Sequence, residues 1–361
     1  MSRPAKATVD LAALRHNFQL AQSLSPKANT IGVVKANAYG HGAVAVAKTL
    51  EPLTPLLAVA CIEEAIELRQ AGIGKPILLL EGPFSDDEIV IAAEQKFWLM
   101  ASGIEQVDRI ANSRPKSAVT VWLKADSGMH RLGLQGEQLK NAFERLSALD
   151  HVHSDIVLAT HFAAADELDS DFTEQQIDTF ANLAEGLNAP LSMANSAGIL
   201  GWPQSHGHYN RPGIMLYGSS PFAHSQINGD KLQAVMSLTS EVIAVRHIEA
   251  GETVGYGRSW MAQRPSIIAT VAIGYGDGYP RQVPNGTPVL INGQKASLAG
   301  RVSMDMITVD VTHLESVSVG DPVELWGKNL PLNTIADAAN TIGYELVTRM
   351  PLRTPRIYVN S

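Results

Sequence analysis

A single cysteine, Cys61, among 361 residues leaves no intramolecular disulfide and fits a reducing compartment. No apolar stretch approaches the roughly 20 residues needed to cross a bilayer. The longest, Pro76-Ile-Leu-Leu-Leu80, has the length of a buried strand. The N-terminus, Met1-Ser-Arg-Pro-Ala-Lys6, lacks the apolar core of a secretory signal, so a cytoplasmic location is expected. Positive charge is in deficit, 28 Lys and Arg against 36 Asp and Glu, for a net charge of −8. That balance argues against a nucleic-acid partner or an anionic membrane surface. His151-Val-His153 and His206-Gly-His208 lack a third ligand cluster at useful spacing, so surface histidines are expected and no metal. What remains is a globular composition, 45% hydrophobic and 18% charged, at a length suited to two domains and a small-molecule role.

From about residue 30 to 218, short apolar runs alternate with helical periodicity. The expected strands are 30–36, 56–62, 76–82, 98–102, 118–125, 155–162, 191–196 and 213–218. Ser85-Asp-Asp-Glu88 and Thr173-Glu-Gln-Gln176 have the form of capping boxes opening helices. Near-continuous apolar strands between helices indicate a parallel sheet covered on both faces, and eight units match a (β/α)8 barrel of TIM type. A doubly wound open sheet is the structural alternative. After about residue 230, alternating and β-branched runs with Asn285-Gly and Asn292-Gly turns predict a mainly antiparallel β domain. The expected fold class is thus α/β: a barrel in residues 1–230, followed by a β-rich domain in residues 231–361.

In a barrel, function gathers at the C-terminal ends of the strands. Lys35 ends the first expected strand, Lys124 the fifth and His161 the sixth. Asn195 and Ser196 end the seventh, and Arg211 precedes the eighth. Each alone has a plain reading as a solvated strand end or a hydrogen-bonded scaffold residue. Their occurrence at one end favours an active-site rim.

The local sequences carry more. Gly32-Val-Val-Lys-Ala-Asn-Ala-Tyr-Gly-His-Gly42 resembles the pyridoxal-phosphate attachment signature of alanine racemases. The resemblance continues through Leu123-Lys-Ala-Asp-Ser-Gly-Met-His-Arg-Leu-Gly133, Met193-Ala-Asn-Ser-Ala-Gly198 and Arg211-Pro-Gly-Ile-Met-Leu-Tyr-Gly218. It extends to Val254-Gly-Tyr-Gly257, Gly274-Tyr-Gly-Asp-Gly-Tyr-Pro-Arg281, Gly300-Arg-Val-Ser-Met-Asp305 and Tyr344-Glu-Leu346, in family order.

The resemblance implies that Lys35 carries pyridoxal 5′-phosphate as a Schiff base, and that L- and D-alanine interconvert by a two-base mechanism on the cofactor-bound substrate. It implies phosphate contacts from Tyr39, Ser196, the backbone at Gly213 and Ile214, and Tyr344, which are suitable donors for a dianion. Asn195 and His161 join the cofactor-binding set. Arg211 would face the ring nitrogen; a guanidinium donates but cannot accept, and so keeps that nitrogen unprotonated. Tyr256 resembles the second base, taking the α-proton of L-alanine while Lys35 takes that of D-alanine. His161 and Arg211 match the network that would lower the Tyr256 pKa. Arg131, Met304 and Asp305 match substrate-carboxylate positions. Lys124 matches a lysine that is often carbamylated. Tyr275, Arg281 and Arg301 look like entrance positions. A homodimer is implied, because Tyr256 and Met304 serve the other subunit's site in the family. The product would feed peptidoglycan, or alanine breakdown.

Two departures are mild: Ser303 and Thr348 stand where some relatives carry cysteine, which bears on solvent access rather than acid–base chemistry. The glycines of Gly274-Tyr-Gly-Asp-Gly278 do not open a helix, since Tyr279-Pro280 interrupts, so dinucleotide binding is set aside. The acidic run 166–171 reads as a solvated loop. Two kinds of rival remain, another enzyme on the same barrel and a non-catalytic binding module. A decarboxylase on the same barrel would need an acidic partner for the ring nitrogen, against which Arg211 speaks. A broad-spectrum racemase would need a wider pocket than Tyr256 and Tyr344 leave. A non-catalytic pyridoxal-phosphate-binding module would not need Tyr256, Met304 and Asp305.

Overall fold

The computed structural model describes residues 3–360. Seven parallel strands lie side by side in chain order: Gly32–Val33, Leu57–Val59, Ile77–Leu79, Phe97–Ala101, Val121–Lys124, Val157–Ala159 and Leu191–Ser192. Most of their side chains are buried, as expected of strands covered on both faces. The helices between them bury one stripe each. In Ile104–Asn112, for example, Val107, Ile110 and Ala111 face inward.

The eighth strand is the short Tyr209–Asn210, parallel to Asn29–Thr30 at the head of the first strand. On its other side, His208 N–H donates to Leu191 O and Arg211 N–H to Ala194 O, which closes the ring. The strand expected at 213–218 is instead a 3-10 turn, Ile214–Tyr217, ended by Gly218 at φ 82°. Arg211 therefore follows the eighth strand, and sits at its C-terminal end like the other rim residues. The expected capping boxes also differ. Ser85 makes no capping bond, although Glu88 accepts the Phe84 N–H. Thr173 and Gln176 lie buried within helix Phe172–Ala184, whose N-cap is Asp171.

The second sheet is mainly antiparallel. Ser266–Val271, Ile307–Asp310, Gln294–Leu298, Pro288–Ile291, Pro322–Trp326 and the long Met236–Ile248 pair in that order, and Met236–Ile248 returns to Ser266–Val271 to close a β-barrel. The expected Asn292-Gly hairpin is present: Asn292 and Gly293 have φ 52° and 77°, the two positive values of a type I′ turn. Lys6–Asp10 also joins this sheet, antiparallel to Met236–Ile248 and parallel to Arg356–Val359. A boundary at residue 230 assigns that strand to the first barrel, whereas its hydrogen bonds are with the second sheet. Among the described residues, no helix is long and apolar enough to cross a membrane.

Candidate active site

Lys35 follows the first barrel strand and opens a turn of opposite hand to an ordinary helix. Ala36, Asn37, Ala38 and Tyr39 have φ of 52°, 54°, 52° and 51°. Each such residue costs roughly 1–2 kcal/mol against the right-handed alternative, so the run needs support from outside. Asn37 Oδ1 accepts the Ala43 N–H at 2.8 Å, and Gly40 N–H closes on Ala36 O at 3.0 Å. Tyr39 ends the turn, its ring stacked on Tyr217 at 4.7 Å and 6.1 Å from Tyr344. Burial pushes the hydroxyls of Tyr39, Tyr217 and Tyr344 up, so all three remain protonated donors.

Opposite Tyr39 stands Gly213. A Cβ there would lie 2.5 Å from Tyr39 Oη, so only glycine lets the backbone come this close. Ser196 Oγ faces the amides of Gly213 and Met215 at 2.9 and 3.3 Å. Asn195 supports it indirectly, capping helix Ser196–Gly201 through the Gly198 N–H at 2.9 Å. Hydroxyls and backbone N–H groups thus converge on one small cradle, the donor set a compact dianion requires.

Beside the cradle, positive charge is crowded. Lys124 ends the fifth strand, and burial together with the charges of Arg211, Arg131 and Lys35 lowers its pKa to about 8. His161 is held well below its usual range by burial and by Arg211, Lys124, Arg131 and Lys35, so its imidazole stays neutral. Arg211 is buried, yet at about 10 its pKa keeps it charged. Its Nη1 donates to Ser192 O and Oγ, and its Nη2 to Thr160 O and Met193 O. Among the described residues nothing engages Nε, which leaves one oriented N–H donor. Arg131 is exposed on the loop after Lys124. Asp126 shapes that loop. Burial raises its pKa, but bonds from His130, Gln135 and Gly128 outweigh this and bring it to about 2.

Two residues in this region carry roles that sequence reading did not assign. Gln176, expected as a cap, bridges the rim: Nε2 donates to Ser127 Oγ and His161 O, and Oε1 accepts the Ala163 N–H. Glu64, on the helix after the second strand, accepts the Ala36 N–H beside Lys35. Acidic residues in a first helical turn ordinarily complement the helix dipole, and no sequence signal separates Glu64 from Glu63.

Tyr256, Tyr275, Arg281, Arg301, Met304 and Asp305 form a second group, in the β domain. No hydrogen bond among the described residues joins them to the barrel rim. Tyr256 is 70% exposed and Met304 52%, values unusual for such large apolar side chains. Arg281 and Arg301 are exposed as well, and Arg301 packs beside the Gly257 turn next to Tyr256. Tyr275 and Gly276 donate their N–H groups to Ser303 O and Met304 O, which ties two loops together. Asp277, buried between them, accepts from Arg3 and Arg353, and Arg353 also holds the Asp305 carboxylate. Asp305 is thus already paired within its own chain.

The histidine pairs also find backbone partners. His151 and His206 face the carbonyls of Ile110 and Ile199, and His208 Nδ1 accepts the Leu191 N–H. His151 and His206 are half-buried scaffold links, whereas His153 and His208 are exposed, as expected of surface histidines.

Comparison with known proteins covers the whole chain. Residues 9–221 match the family profile "Alanine racemase, N-terminal domain", and residues 235–358 match "Alanine racemase, C-terminal domain". The catabolic alanine racemase of Pseudomonas putida is 50% identical over 357 residues, covering 99% of both chains. The biosynthetic alanine racemase of Pseudomonas aeruginosa superposes with a TM-score of 0.96 at 46% identity, over 99% of this chain and 100% of that one. The Bartonella henselae alanine racemase, solved with covalently bound pyridoxal phosphate, gives 0.89 at 31% identity over 99% of each chain.

Proposed function

The chain belongs to the alanine racemases, an isomerase family, and from that premise we propose that it interconverts L- and D-alanine with pyridoxal 5′-phosphate carried on Lys35. The observation that carries this reading is the rim itself: an amine on a strained turn, a dianion cradle beside it, and a buried arginine with one free donor. These groups suit the cofactor. Tyr39, Ser196, the backbone at Gly213 and Ile214, and Tyr344 would hold the phosphate, with Asn195 supporting Ser196. Arg211 would give its Nε–H to the ring nitrogen, and a charged arginine there leaves that nitrogen unprotonated. When bound, the cofactor supplies an electrophilic carbon for the substrate amine and an electron-withdrawing ring that acidifies the α-hydrogen.

The chain's residues then exchange protons on two faces of the α-carbon, one base accepting the α-proton while the opposite one donates its own. Lys35 Nζ accepts the α-proton of D-alanine and, in the other direction, donates its own proton to form D-alanine. Tyr256 Oη does the same on the L face, aided by the positive surroundings of Arg211 and by His161. Arg131 and the backbone N–H groups at Met304 and Asp305 orient the substrate carboxylate, while Tyr275, Arg281 and Arg301 line its approach. Lys124, at a pKa of about 8, has a neutral amine within reach of neutral pH. As a carbamate it would become an anion holding Arg131.

Because Tyr256 and Met304 are exposed and, among the described residues, make no hydrogen bond to the rim of their own chain, the reading includes a homodimer with shared sites, the β domain of one subunit completing the barrel of the other. A cytoplasmic setting belongs to the same reading. The catabolic and biosynthetic relatives are nearly equally similar, so supply of D-alanine for peptidoglycan and alanine breakdown both remain within the proposal. The function is tested by following L-alanine in deuterated water. Loss of optical activity with deuterium at the α-carbon supports it, and no exchange by cofactor-loaded protein refutes it.

A further inference from the structure

The head of the left-handed turn is held by a side chain from the neighbouring loop of the barrel. Glu64 lies in the first turn of Ile62–Gln70, the helix after the second strand. Its Oε1 accepts the Ala36 N–H at 2.6 Å, and its Oε2 accepts the Ala60 N–H at 2.8 Å. One carboxylate therefore joins the loops that leave the first and second strands. Both of its oxygens are committed to backbone donors, which leaves it badly placed to act as a base. Glu63 beside it is exposed and complements the helix dipole as a first-turn acid ordinarily does. Glu64 differs in turning towards the barrel.

The peptide whose N–H Glu64 grips is the one linking Lys35 to Ala36. Its orientation sets the direction in which the Lys35 side chain leaves the backbone. The residues that follow it occupy a conformation that L-residues do not hold by local preference. Asn37 and Gly40 tie the later part of the turn, and the Glu64 carboxylate fixes its beginning. Charge-assisted bonds to backbone N–H groups are the strong kind, suited to that task.

We propose that Glu64 is a positioning residue for Lys35: by binding the Ala36 and Ala60 amides, it holds the strained turn so that Nζ stays aligned with the substrate α-carbon. This inference rests on the role given to Lys35 above. The test is Glu64→Gln, which keeps the size but turns one accepting oxygen into an NH2 facing a peptide N–H. Glu63→Gln serves as the neighbouring control. Backbone hydrogen exchange over residues 36–42 of the purified protein should accelerate in Glu64→Gln and stay unchanged in Glu63→Gln. With cofactor loaded, kcat should fall about tenfold to a hundredfold, the effect of a small misplacement of a reacting group, with KM little altered. The isotope effect from α-deuterated substrate should rise more from D-alanine than from L-alanine, because Lys35 serves the D face. Glu64→Asp, whose shorter reach spares one amide, should lie between the two, and it decides the question if Glu64→Gln does not fold. Unchanged exchange over 36–42 overturns the inference, as does an isotope effect that changes equally from both isomers. Failure of the underlying reading is separate: Lys35→Ala would then still exchange the α-hydrogen of D-alanine.

Discussion

Replacing Gly213 by alanine puts a methyl group into the tightest part of the cradle. The new Cβ would stand 2.5 Å from Tyr39 Oη, where ordinary contact begins at 3.4 Å. Tyr39 has little room to retreat, since its ring stacks on Tyr217 at 4.7 Å, lies 6.1 Å from Tyr344, and is only 7% exposed. Without the cofactor nothing fixes the hydroxyl, and a small shift of that end of the side chain relieves part of the clash. With it, the hydroxyl is required in one place and the clash must be borne by the backbone. Overpacking of this kind costs about 1–3 kcal/mol. If that strain falls on the bound state, pyridoxal phosphate affinity should weaken by about 5-fold to 150-fold. Titration of cofactor-stripped protein by absorbance gives the Kd, and thermal unfolding of the same stripped protein measures any general damage. The expected result is a weaker Kd with little change in the stripped protein's Tm. A Kd equal to that of the wild type would refute the cradle.

Hybrid dimers test the shared site. Random mixing of Lys35→Ala and Tyr256→Phe chains should recover about a quarter of wild-type activity, because half of the dimers are hybrids and each restores one of two sites under two-fold symmetry; no recovery places both groups in one subunit. Lys124 has its folded pKa lowered to about 8 from 10.5, so the unfolded chain binds its proton more tightly between those values. In carbonate-free buffer, wild-type stability should therefore rise relative to Lys124→Met as pH increases from about 8 to about 10.5, and a difference flat in pH would contradict the depressed pKa. Asp277→Asn should lower stability by about 1–2 kcal/mol in urea unfolding, a buried-carboxylate loss discounted because Arg3 and Arg353 are more than a third exposed. An unchanged midpoint would mean that the clamp contributes nothing measurable.

Much of the architecture is legible because the barrel writes itself as apolar runs. Ile77–Leu79 and Val121–Lys124 are buried strands in both readings. The eighth strand escapes because it is two residues long, Tyr209–Asn210, and its pairing is settled by Asn29–Thr30 far away in sequence. The apolar run that follows, Ile214–Tyr217, is equally buried but is a 3-10 turn, and composition does not separate the two. Ala36 and Ala38 are good right-handed helix formers, so their left-handed geometry is imposed by tertiary contacts that no local pattern announces. Lys35, His161 and Arg211 could be placed near one another because strand ends in a barrel share a face. The partners that orient them, Glu64, Gln176 and the carbonyls around Arg211, could not, because each is an ordinary helix or strand residue until the fold brings it to the rim. The pairing of Asp305 with Arg353 is likewise invisible from motif spacing.

The central claim is that two bases serve the two faces of the α-carbon, Lys35 on the D face and Tyr256 on the L face, one removing the α-proton while the other supplies its own. Purified protein with pyridoxal phosphate should be given L-alanine in deuterated water, while optical activity and α-deuterium are followed together in the wild type and in Tyr256→Phe. The account predicts decay of rotation to zero with full α-deuteration in the wild type, and in Tyr256→Phe a far larger loss of exchange from L-alanine than from D-alanine. Exchange without loss of chirality in the wild type, or equal residual exchange from both isomers in the variant, would contradict it.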